Sequence, residues 1–403
     1  MKKIPKSIKP IVKFFTSLKL TVVLLTFSLL LTFFGTLAQV QDGLYEVQKE
    51  YFQSFFVIHE QPISQKEDGN LVSVHFPLPG GYLIGTMLLI NLVAGFIARF
   101  KFTVSKCGIY ISHLGLILLL LGQLATEAYQ EESNIRFEEG EKRNYSQSYR
   151  EFELAFTQPG SSSSKEKVTV IPEKFLYKSK SKNESISSSL LPFEIKISNL
   201  FTNSTINQLA ADKLRDDFQG AGKRFEAIGK SKVATMDEVN IPACELELID
   251  KSDQKSIAKF LVTPELFPQS FKIGETPYKI HLRFERFYKP FHLHLVDFRH
   301  DKFTGTQTPR NFSSLVQLEN NDSKENRPVN IKMNSPLRYG NETYYQASFD
   351  KVNPRITVLQ CVSNPSSLLP YISCSLMSLG LTIQFLFHLT KFVGKQMKAT
   401  KKS

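Results

Sequence analysis

The chain contains no tryptophan and only four cysteines among its 403 residues. The missing tryptophan argues against any chemistry that depends on a tryptophan-rich loop. Four cysteines in so long a chain exclude a disulfide-dense secreted scaffold, and without a Cys-x-x-Cys pair thiol exchange by this chain alone is unsupported. The sequence also lacks Gly-x-Gly-x-x-Gly, a phosphate-binding loop, His-Glu-x-x-His and Gly-x-Ser-x-Gly. These absences favour a non-catalytic protein.

The chain has a net charge of +12, and its excess of basic residues lies in three short segments that contain no acidic residue. Residues 1–19, 99–106 and 391–403 together hold 14 Lys and Arg, so the rest of the chain sums to −2. A nucleic-acid surface would spread basic residues over a folded face. Basic residues confined to the flanks of apolar runs indicate membrane topology instead.

Four apolar runs without charged residues predict membrane-spanning helices. At 1.5 Å per residue each can cross a hydrocarbon core of roughly 30 Å, although the second run is barely long enough. A buried helix of a soluble protein would show a polar stripe, which these runs lack. The predicted spans are residues 20–38, 82–98, 107–125 and 370–389.

The basic segments predict the orientation of these helices. Residues 1–19, the connection 99–106 and the tail 390–403 should lie in the cytoplasm, because positive charge marks the inner side. The loop 39–81 and the long segment 126–369 then lie outside. The expected location is a bacterial cytoplasmic membrane, or a thylakoid membrane in a plastid. The first run also resembles a cleavable signal peptide, and that alternative stays open.

The long outer segment has the pattern of a β-rich domain. Short runs alternate between polar and apolar residues and are separated by Pro and Gly, as in half-buried antiparallel strands. The five clearest runs are residues 151–156, 193–197, 244–248, 279–284 and 355–359. We expect a sandwich or barrel, with loops at 161–164 and 179–189 and one charged helix around 209–218. The predicted fold class is therefore an α-helical membrane protein with four transmembrane helices and a large β-rich extracytoplasmic domain between the third and fourth.

Two histidines lie inside the predicted spans and are the main candidate site residues. An ionisable residue within a span is costly and suggests a function. His113 lies roughly 10 Å from the inner face and His388 roughly 5 Å from it, by helical rise. Both imidazoles could serve as axial ligands of a haem iron. A hydrogen bond between helices, or an interfacial position for His388, is the alternative.

Other histidines and cysteines give weaker signals. His292 and His294 share one face of a strand and could chelate a metal, but no third ligand is fixed by spacing. His59 and His75 lie in the first outer loop, where a solvated position is expected. Two outer cysteines, at positions 244 and 361, could form a disulfide.

Several separated segments resemble the ResB family of cytochrome c biogenesis proteins (System II). They are Ser17-Leu-Lys-Leu-Thr21, Gly35-Thr-Leu-Ala-Gln39, Ser112-His-Leu-Gly-Leu-Ile-Leu118, Glu138-Glu-Gly-Glu141, Asp297-Phe298, Gly305-Thr306, Pro309, Phe312-Ser313, Met333-Asn334, Pro336-Leu337, Tyr339 and Tyr345-Gln-Ala-Ser-Phe349. The arrangement of three spans, a large outer domain and a fourth span is also similar. The chain departs from the family pattern at Gly340-Asn341-Glu342 and at Asn364-Pro365-Ser366, which affects local turns.

The resemblance implies a function that the composition does not show. Proteins of this family form a complex with CcsA, a membrane protein with a tryptophan-rich loop. The complex carries haem outward and presents it to apocytochrome c. The lack of tryptophan fits the partner without that loop, and His113 matches the family's histidine in the third span. The chain is then a non-catalytic subunit that binds haem and contacts CcsA, apocytochrome c and lipid, with no nucleic acid and no metal other than haem iron.

A structural or sensing membrane protein, with an outer β domain that binds a ligand, is the alternative. A transporter accessory subunit is a third possibility. Sensors usually carry a cytoplasmic output domain, whereas the inner segments here are short and Lys-rich. A transporter would need more spans or a nucleotide-binding motif.

Overall fold

The computed structural model divides the chain into a helical unit and a β-rich unit. It describes residues 9–65, 71–99, 103–160, 166–233, 239–305, 309–350 and 353–400. The helical unit is built from both ends of the chain, and the β-rich unit from the middle. The loop predicted at 161–164 and Thr306 of the family-like segments lie outside the described residues.

Four of the helices are long and apolar enough to cross a membrane. The helices are α1 (Lys9–Phe15), α2 (Leu18–Val47), α3 (Gly81–Arg99), α4 (Cys107–Tyr129), α5 (Glu173–Lys182) and α6 (Leu369–Thr400). The membrane-compatible stretches are Leu18–Val40, Gly81–Arg99, Val104–Tyr129 and Leu369–Lys398. Each contains one of the predicted apolar runs and extends past it.

A buried asparagine joins the start of α2 to α3. Ser17 caps α2 by accepting a hydrogen bond from the Lys19 amide (3.2 Å). Asn91 Nδ2 donates to the carbonyls of Phe15 (2.7 Å) and Ser17 (3.2 Å), and Thr21 Oγ1 donates to Asn91 Oδ1 (2.6 Å). The one amide side chain of the second apolar run thus donates to carbonyls between α1 and α2, where hydrocarbon offers few other donors.

A row of glycines lets α4 and α6 approach closely. Gly108, Gly115 and Gly122 are spaced seven residues apart on α4 and are buried. A Cβ atom at Gly115 would lie 2.8 Å from both the Met377 Cγ and the Ser373 carbonyl oxygen. Small residues allow the two backbones to approach and to make van der Waals contacts, which stabilise helix pairs in lipid, where no hydrophobic driving force acts between helices.

The segment after α2 is folded, not a solvated loop. A π-helical turn (Gln48–Phe52) is followed by the antiparallel hairpin β1 (Phe56–Gln65) and β2 (Leu71–Pro79). The expectation of a solvated His59 is wrong, because this side chain is only 2% exposed. Its Nδ1 lies 2.5 Å from the Tyr51 hydroxyl, among aromatic rings. His75, by contrast, is exposed.

The β-rich unit contains sixteen strands in its described part. They are β3 (Glu131–Glu138), β4 (Lys142–Pro159), β5 (Glu166–Pro172), β6 (Ile186–Ser187), β7 (Phe193–Phe201), β8 (Ser204–Gln208), β9 (Phe225–Gly229), β10 (Ala243–Asp250), β11 (Ser256–Val262), β12 (Gln269–Ile273), β13 (Thr276–Lys302), β14 (Pro309–Asn320), β15 (Glu325–Lys332), β16 (Leu337–Tyr339), β17 (Glu342–Phe349) and β18 (Ile356–Ser363). Four of the five alternating runs fall wholly in these strands, and the fifth begins one residue before β18, so the β-rich prediction is confirmed.

These strands form three sheets. The largest has ten strands, in the order β15-β14-β13-β4-β3-β18-β17-β16, with β12 paired to β13 and β5 paired to β4. A four-stranded sheet has the order β11-β10-β7-β6, and β8 pairs with β9. All the strand pairs are antiparallel, as expected for sheets with one face packed on a core.

The two outer cysteines belong to different hydrophobic cores. Cys244 packs among β4, β7, β10 and β13, whereas Cys361 packs among β3, β13, β14 and β18. Both are free thiols, so the disulfide left open by the sequence is not formed. Burial raises the pKa of each thiol far above its usual range, which keeps both unreactive.

The helix of the β-rich unit is not where the sequence predicted it. The segment around 209–218 contains only a short 3-10 turn, Ala211–Lys213, and α5 occupies part of the predicted loop 179–189. Leu176 and Ser179 are its buried face, and Asn183 ends it in a left-handed conformation (φ 53°). Its many Lys and Ser residues conceal this narrow buried face in the sequence.

A buried ion pair joins β4 to β13. Arg283 Nε donates to Glu153 Oε1 at 2.8 Å, and these residues are 7% and 4% exposed. Burial and the nearby guanidinium groups lower the pKa of His281, two residues before Arg283, to about 4. This histidine is therefore neutral at physiological pH.

A carboxyl pair lies beside that ion pair. Burial, a hydrogen bond that protonated Glu285 donates to Glu151, and the charges of neighbouring carboxylates raise the pKa of Glu285 to about 7. Glu285 sits at an irregularity in the β13–β4 ladder, between Phe284 and Arg286. Two carboxyl groups in contact share a proton, because both cannot ionise cheaply.

Replacing Gly115 by valine should disrupt the contact between α4 and α6. The new side chain meets Met377 and the Ser373 carbonyl, and overpacking of this kind costs about 1–3 kcal/mol. We expect a lower midpoint of thermal unfolding for the detergent-solubilised chain. The matched control is Gly394→Val on α6, because a Cβ atom there meets nothing within 4 Å. Equal midpoints for the two variants would contradict the close packing.

The Glu285→Gln variant should lose part of the pH dependence of stability. The folded state holds a proton up to about pH 7, whereas an ordinary glutamate releases it near 4.5. As pH rises between these values the unfolded chain releases its proton first, so this group destabilises the fold progressively. We expect the unfolding midpoint to fall less between about pH 5 and about pH 8 in Glu285→Gln than in the wild type or in the exposed control Glu275→Gln. Parallel curves for Glu285→Gln and the wild type would refute the shared proton.

Candidate functional site

A cavity of about 610 Å³ lies within the helical unit, among α2, α3 and α4. Its walls are mainly leucine, with Ile109, Phe96 and Tyr110. The complete lining is Thr16, Leu18, Thr21, Leu25, Leu88, Asn91, Leu92, Gly95, Phe96, Arg99, Lys106, Ile109, Tyr110, His113, Leu116 and Leu120. Its volume falls in the range of roughly 300–1,000 Å³ that is usual for small-molecule sites.

His113 contributes the imidazole of this cavity. It lies on α4, and its Nδ1 is 2.8 Å from the carbonyl oxygen of Ile109, one turn earlier. Because a carbonyl oxygen only accepts, Nδ1 carries the proton and donates it. A neutral imidazole then keeps an electron pair on Nε2. This is the arrangement of metal-binding histidines, whose second nitrogen donates to a carbonyl or carboxylate.

Two basic residues stand at one end of the cavity. Arg99 is the last residue of α3, and Lys106 immediately precedes α4. Arg99 Nη2 also donates to the Thr16 carbonyl at 2.8 Å, which orients the guanidinium. The lining includes no acidic residue among the described part of the chain. The cavity therefore favours an apolar ligand that carries negative charge at one end.

His388 does not line this cavity. It lies on α6, which packs against the glycine row of α4, and at 100° per residue His113 points well away from that row. Its Nε2 is 2.9 Å from Gln384 Nε2, so that nitrogen already has a hydrogen-bond partner. The structure brings His113 together with Arg99 and Lys106, but not with His388.

The metal-binding hypothesis for His292 and His294 gains no support. On β13 they face Glu319 and Gln317 of β14, and Glu319 is bonded to Lys142. The hydrogen bond from Lys142, and then nearby positive charge, lower the pKa of Glu319. Within the described residues no group of three histidine, cysteine, aspartate or glutamate side chains could hold a metal ion.

Sequence reasoning missed two of the polar residues at the cavity. Arg99 and Lys106 served only as topology signals, because their meeting beside His113 depends on the packing of α3 against α4. Asn91 did stand out, as the one amide side chain in its apolar run. That signal could have identified the helix junction that closes the cavity.

The family-like segments take structural positions around these features. Ser17 caps α2, as described above. In the β-rich unit, the Glu139 carboxylate accepts from the Phe298 amide (2.9 Å). Ser314 Oγ donates to Gln346 Oε1 (2.6 Å), and Gln346 Nε2 donates to Thr357 Oγ1 (2.9 Å). The segments that carry the resemblance thus also meet in the fold.

Comparison with known proteins points in the same direction. Residues 260–358 match the sequence model of the ResB-like family, a stretch that runs from β11 to β18. Protein NrfI of Wolinella succinogenes is 29% identical over 103 residues, which are 26% of this chain and 11% of NrfI. The chain thus matches about a tenth of that relative's length.

The chain also has a weak similarity to a solved structure. The cytochrome c haem lyase CcmF is 11% identical, and the alignment covers 75% of this chain and 30% of CcmF with a TM-score of 0.20. A TM-score this low does not indicate a shared fold. Over residues 260–358, about a quarter of its length, the chain is similar to the ResB-like family.

Proposed function

We propose that this chain is a non-catalytic membrane subunit of a cytochrome c assembly complex, and that it holds haem at His113 on the way to apocytochrome c. The role in cytochrome c biogenesis rests on the ResB-like match. The place of the haem rests on the cavity among α2, α3 and α4. Haem is cargo here, not a resident cofactor.

The single observation that carries the proposal is the setting of His113. The Ile109 carbonyl fixes the proton on Nδ1 and leaves Nε2 as the ligand atom, at the wall of an apolar cavity. A neutral imidazole nitrogen is a usual axial ligand of haem iron. The residue that matches the family's histidine in the third span is therefore also the one whose chemistry suits the iron.

The rest of the cavity fits the shape and charge of haem. Haem is a flat, apolar ring with two carboxylates on one edge. The leucines and Phe96 would contact the ring, and Arg99 and Lys106 would pair with the carboxylates. Haem would then lie with its acidic edge toward the basic end of the helices. The positive-inside rule assigns that end to the cytoplasm.

The second iron ligand belongs to another element. His388 lies outside the cavity, and Gln384 occupies its Nε2. A histidine of the CcsA-type partner could supply the second ligand instead. A ligand role for His388 stays a prediction, which haem content in His388→Ala tests.

The β-rich unit would lie outside and bring apocytochrome c to the haem. It lies between α4 and α6 in the chain, and the basic segments predict that this region is exported. Its four-stranded sheet ends at β11 and β6, and an extended substrate segment could add a strand at such an edge. The complex would thereby hold haem near the inner end of the helices and unfolded substrate on the outer side of a bacterial cytoplasmic membrane, or of a thylakoid membrane, so haem would have to move outward before attachment.

Replacing His113 by alanine should remove the iron ligand from the cavity. We expect haem that co-purifies with the chain and its partner to fall about ten-fold or more, since a metal ligand is lost. Added imidazole should restore part of the haem absorption band, because it fills the space that the side chain leaves. The exposed His75→Ala is the matched control. Wild-type haem content in His113→Ala would remove this residue from the site.

The double variant Arg99→Gln/Lys106→Gln should no longer distinguish haem from an ester of haem that lacks the two carboxylate charges. We expect the wild type to bind haem about ten-fold more tightly than haem dimethyl ester, because charge-assisted bonds are lost with the ester. The double variant should bind both with equal affinity, measured by spectroscopic titration in detergent. A general loss of folding would weaken both ligands alike and leave the ratio unchanged. A wild-type preference in the double variant would contradict the proposed orientation.

A further inference from the structure

A second cavity lies on the other side of Leu88 and Leu120 from the His113 cavity. Its volume is about 350 Å³, and these two leucines line both cavities. It lies within the helical unit, near the first turn of α3 and the last turn of α4. The lining is Ser28, Leu31, Gln48, Phe52, Gln53, Gly81, Tyr82, Ile84, Gly85, Thr86, Leu88, Leu89, Leu120, Gln123, Leu124 and Glu127.

Its polar groups differ in kind from those of the first cavity. Three glutamines, at positions 48, 53 and 123, present amide groups; Gln48 and Gln123 are exposed and Gln53 is half-buried. Tyr82 Oη donates to Glu127 Oε1 at 3.3 Å. Polar groups beside hydrocarbon are costly unless a partner satisfies them. The amide groups of these glutamines can therefore form hydrogen bonds with a ligand that carries acceptor or donor atoms.

The charge of this cavity excludes haem as its natural ligand. Within the described part of the chain, Glu127 is the only charged residue of the lining, and no lysine, arginine or histidine is present. Two haem carboxylates would meet a third carboxylate without a cation to pair with. The same argument disfavours the anionic headgroup of a lipid.

We infer that this cavity binds a membrane quinone. A quinone ring is neutral and flat, and its two carbonyl oxygens can accept hydrogen bonds from the amides of Gln53 and Gln123. In the reduced form its hydroxyl groups can donate to Glu127. An alkyl tail would lie against the leucines that floor the cavity and continue into lipid. This inference does not depend on the haem proposal.

The test uses a photoreactive azidoquinone with an alkyl tail and the purified full-length chain in nanodiscs of neutral lipid. Labelled peptides are identified by mass spectrometry, with and without excess decylquinone. We expect displaceable labelling next to Gln53 and Gln123. The double variant Gln53→Leu/Gln123→Leu, which keeps side-chain size but removes two donors, should lower it about ten-fold.

Three controls separate the possible outcomes. Gln39→Leu, in α2 and away from both cavities, should label as the wild type does. The single variants Gln53→Leu and Gln123→Leu check the result if the double variant does not fold, and each should reduce labelling. His113→Ala should label normally, because the haem cavity is separate.

The inference is overturned by any of four results. These are wild-type labelling that decylquinone does not displace, full labelling of the double variant, loss of labelling in His113→Ala, or native mass spectrometry that finds phospholipid but no quinone bound to the chain. The haem proposal has its own readout, the haem absorption band, so the failure of one proposal is distinguishable from the failure of the other.

Discussion

The hydrogen bond from His113 Nδ1 to the Ile109 carbonyl is the interaction on which the account depends. It determines which imidazole nitrogen carries the proton, and so which one can bind iron. Without it, His113 would be one more polar residue in a span with a helix–helix contact as its simplest explanation. With it, the imidazole, the apolar walls and the basic end of the cavity together suit an apolar ligand with an iron atom and an acidic edge.

The helix contacts around the cavity involve polar and small residues that face away from His113. Asn91 satisfies the carbonyls between α1 and α2, and holds the start of α2 against α3. The glycine row of α4 is turned toward α6, which leaves the His113 face of α4 for the cavity. The cost of an unpaired polar group in hydrocarbon thus arranges the helices and leaves His113 at the wall of the cavity.

Much of the fold could be predicted from the sequence, because it depends on local patterns. Uninterrupted apolar runs predict the helices α2, α3, α4 and α6, and alternation predicts strands such as β7 and β10. Features that depend on distant packing could not be predicted in this way. His59 becomes buried only when the hairpin folds onto α2, and α5 is stabilised by Leu176 and Ser179 despite its polar composition.

The candidate site also has one part that the sequence predicts and one part that depends on distant packing. His113 is visible in the sequence because an ionisable group in a span is unusual. Its association with Arg99 and Lys106, and its separation from His388, depend on the faces that α3, α4 and α6 present to one another. The two histidines lie at similar depth in the sequence pattern but do not line the same cavity, and a ligand role for His388 stays a prediction. The cores that separate Cys244 from Cys361 give the same lesson in the β-rich unit.

The most direct measurement is an experimental structure of the haem-loaded complex, determined by electron cryomicroscopy. The account predicts a porphyrin among α2, α3 and α4, with His113 Nε2 bonded to the iron and the carboxylates beside Arg99 and Lys106. A porphyrin held elsewhere, with His113 Nε2 away from the iron, would contradict it.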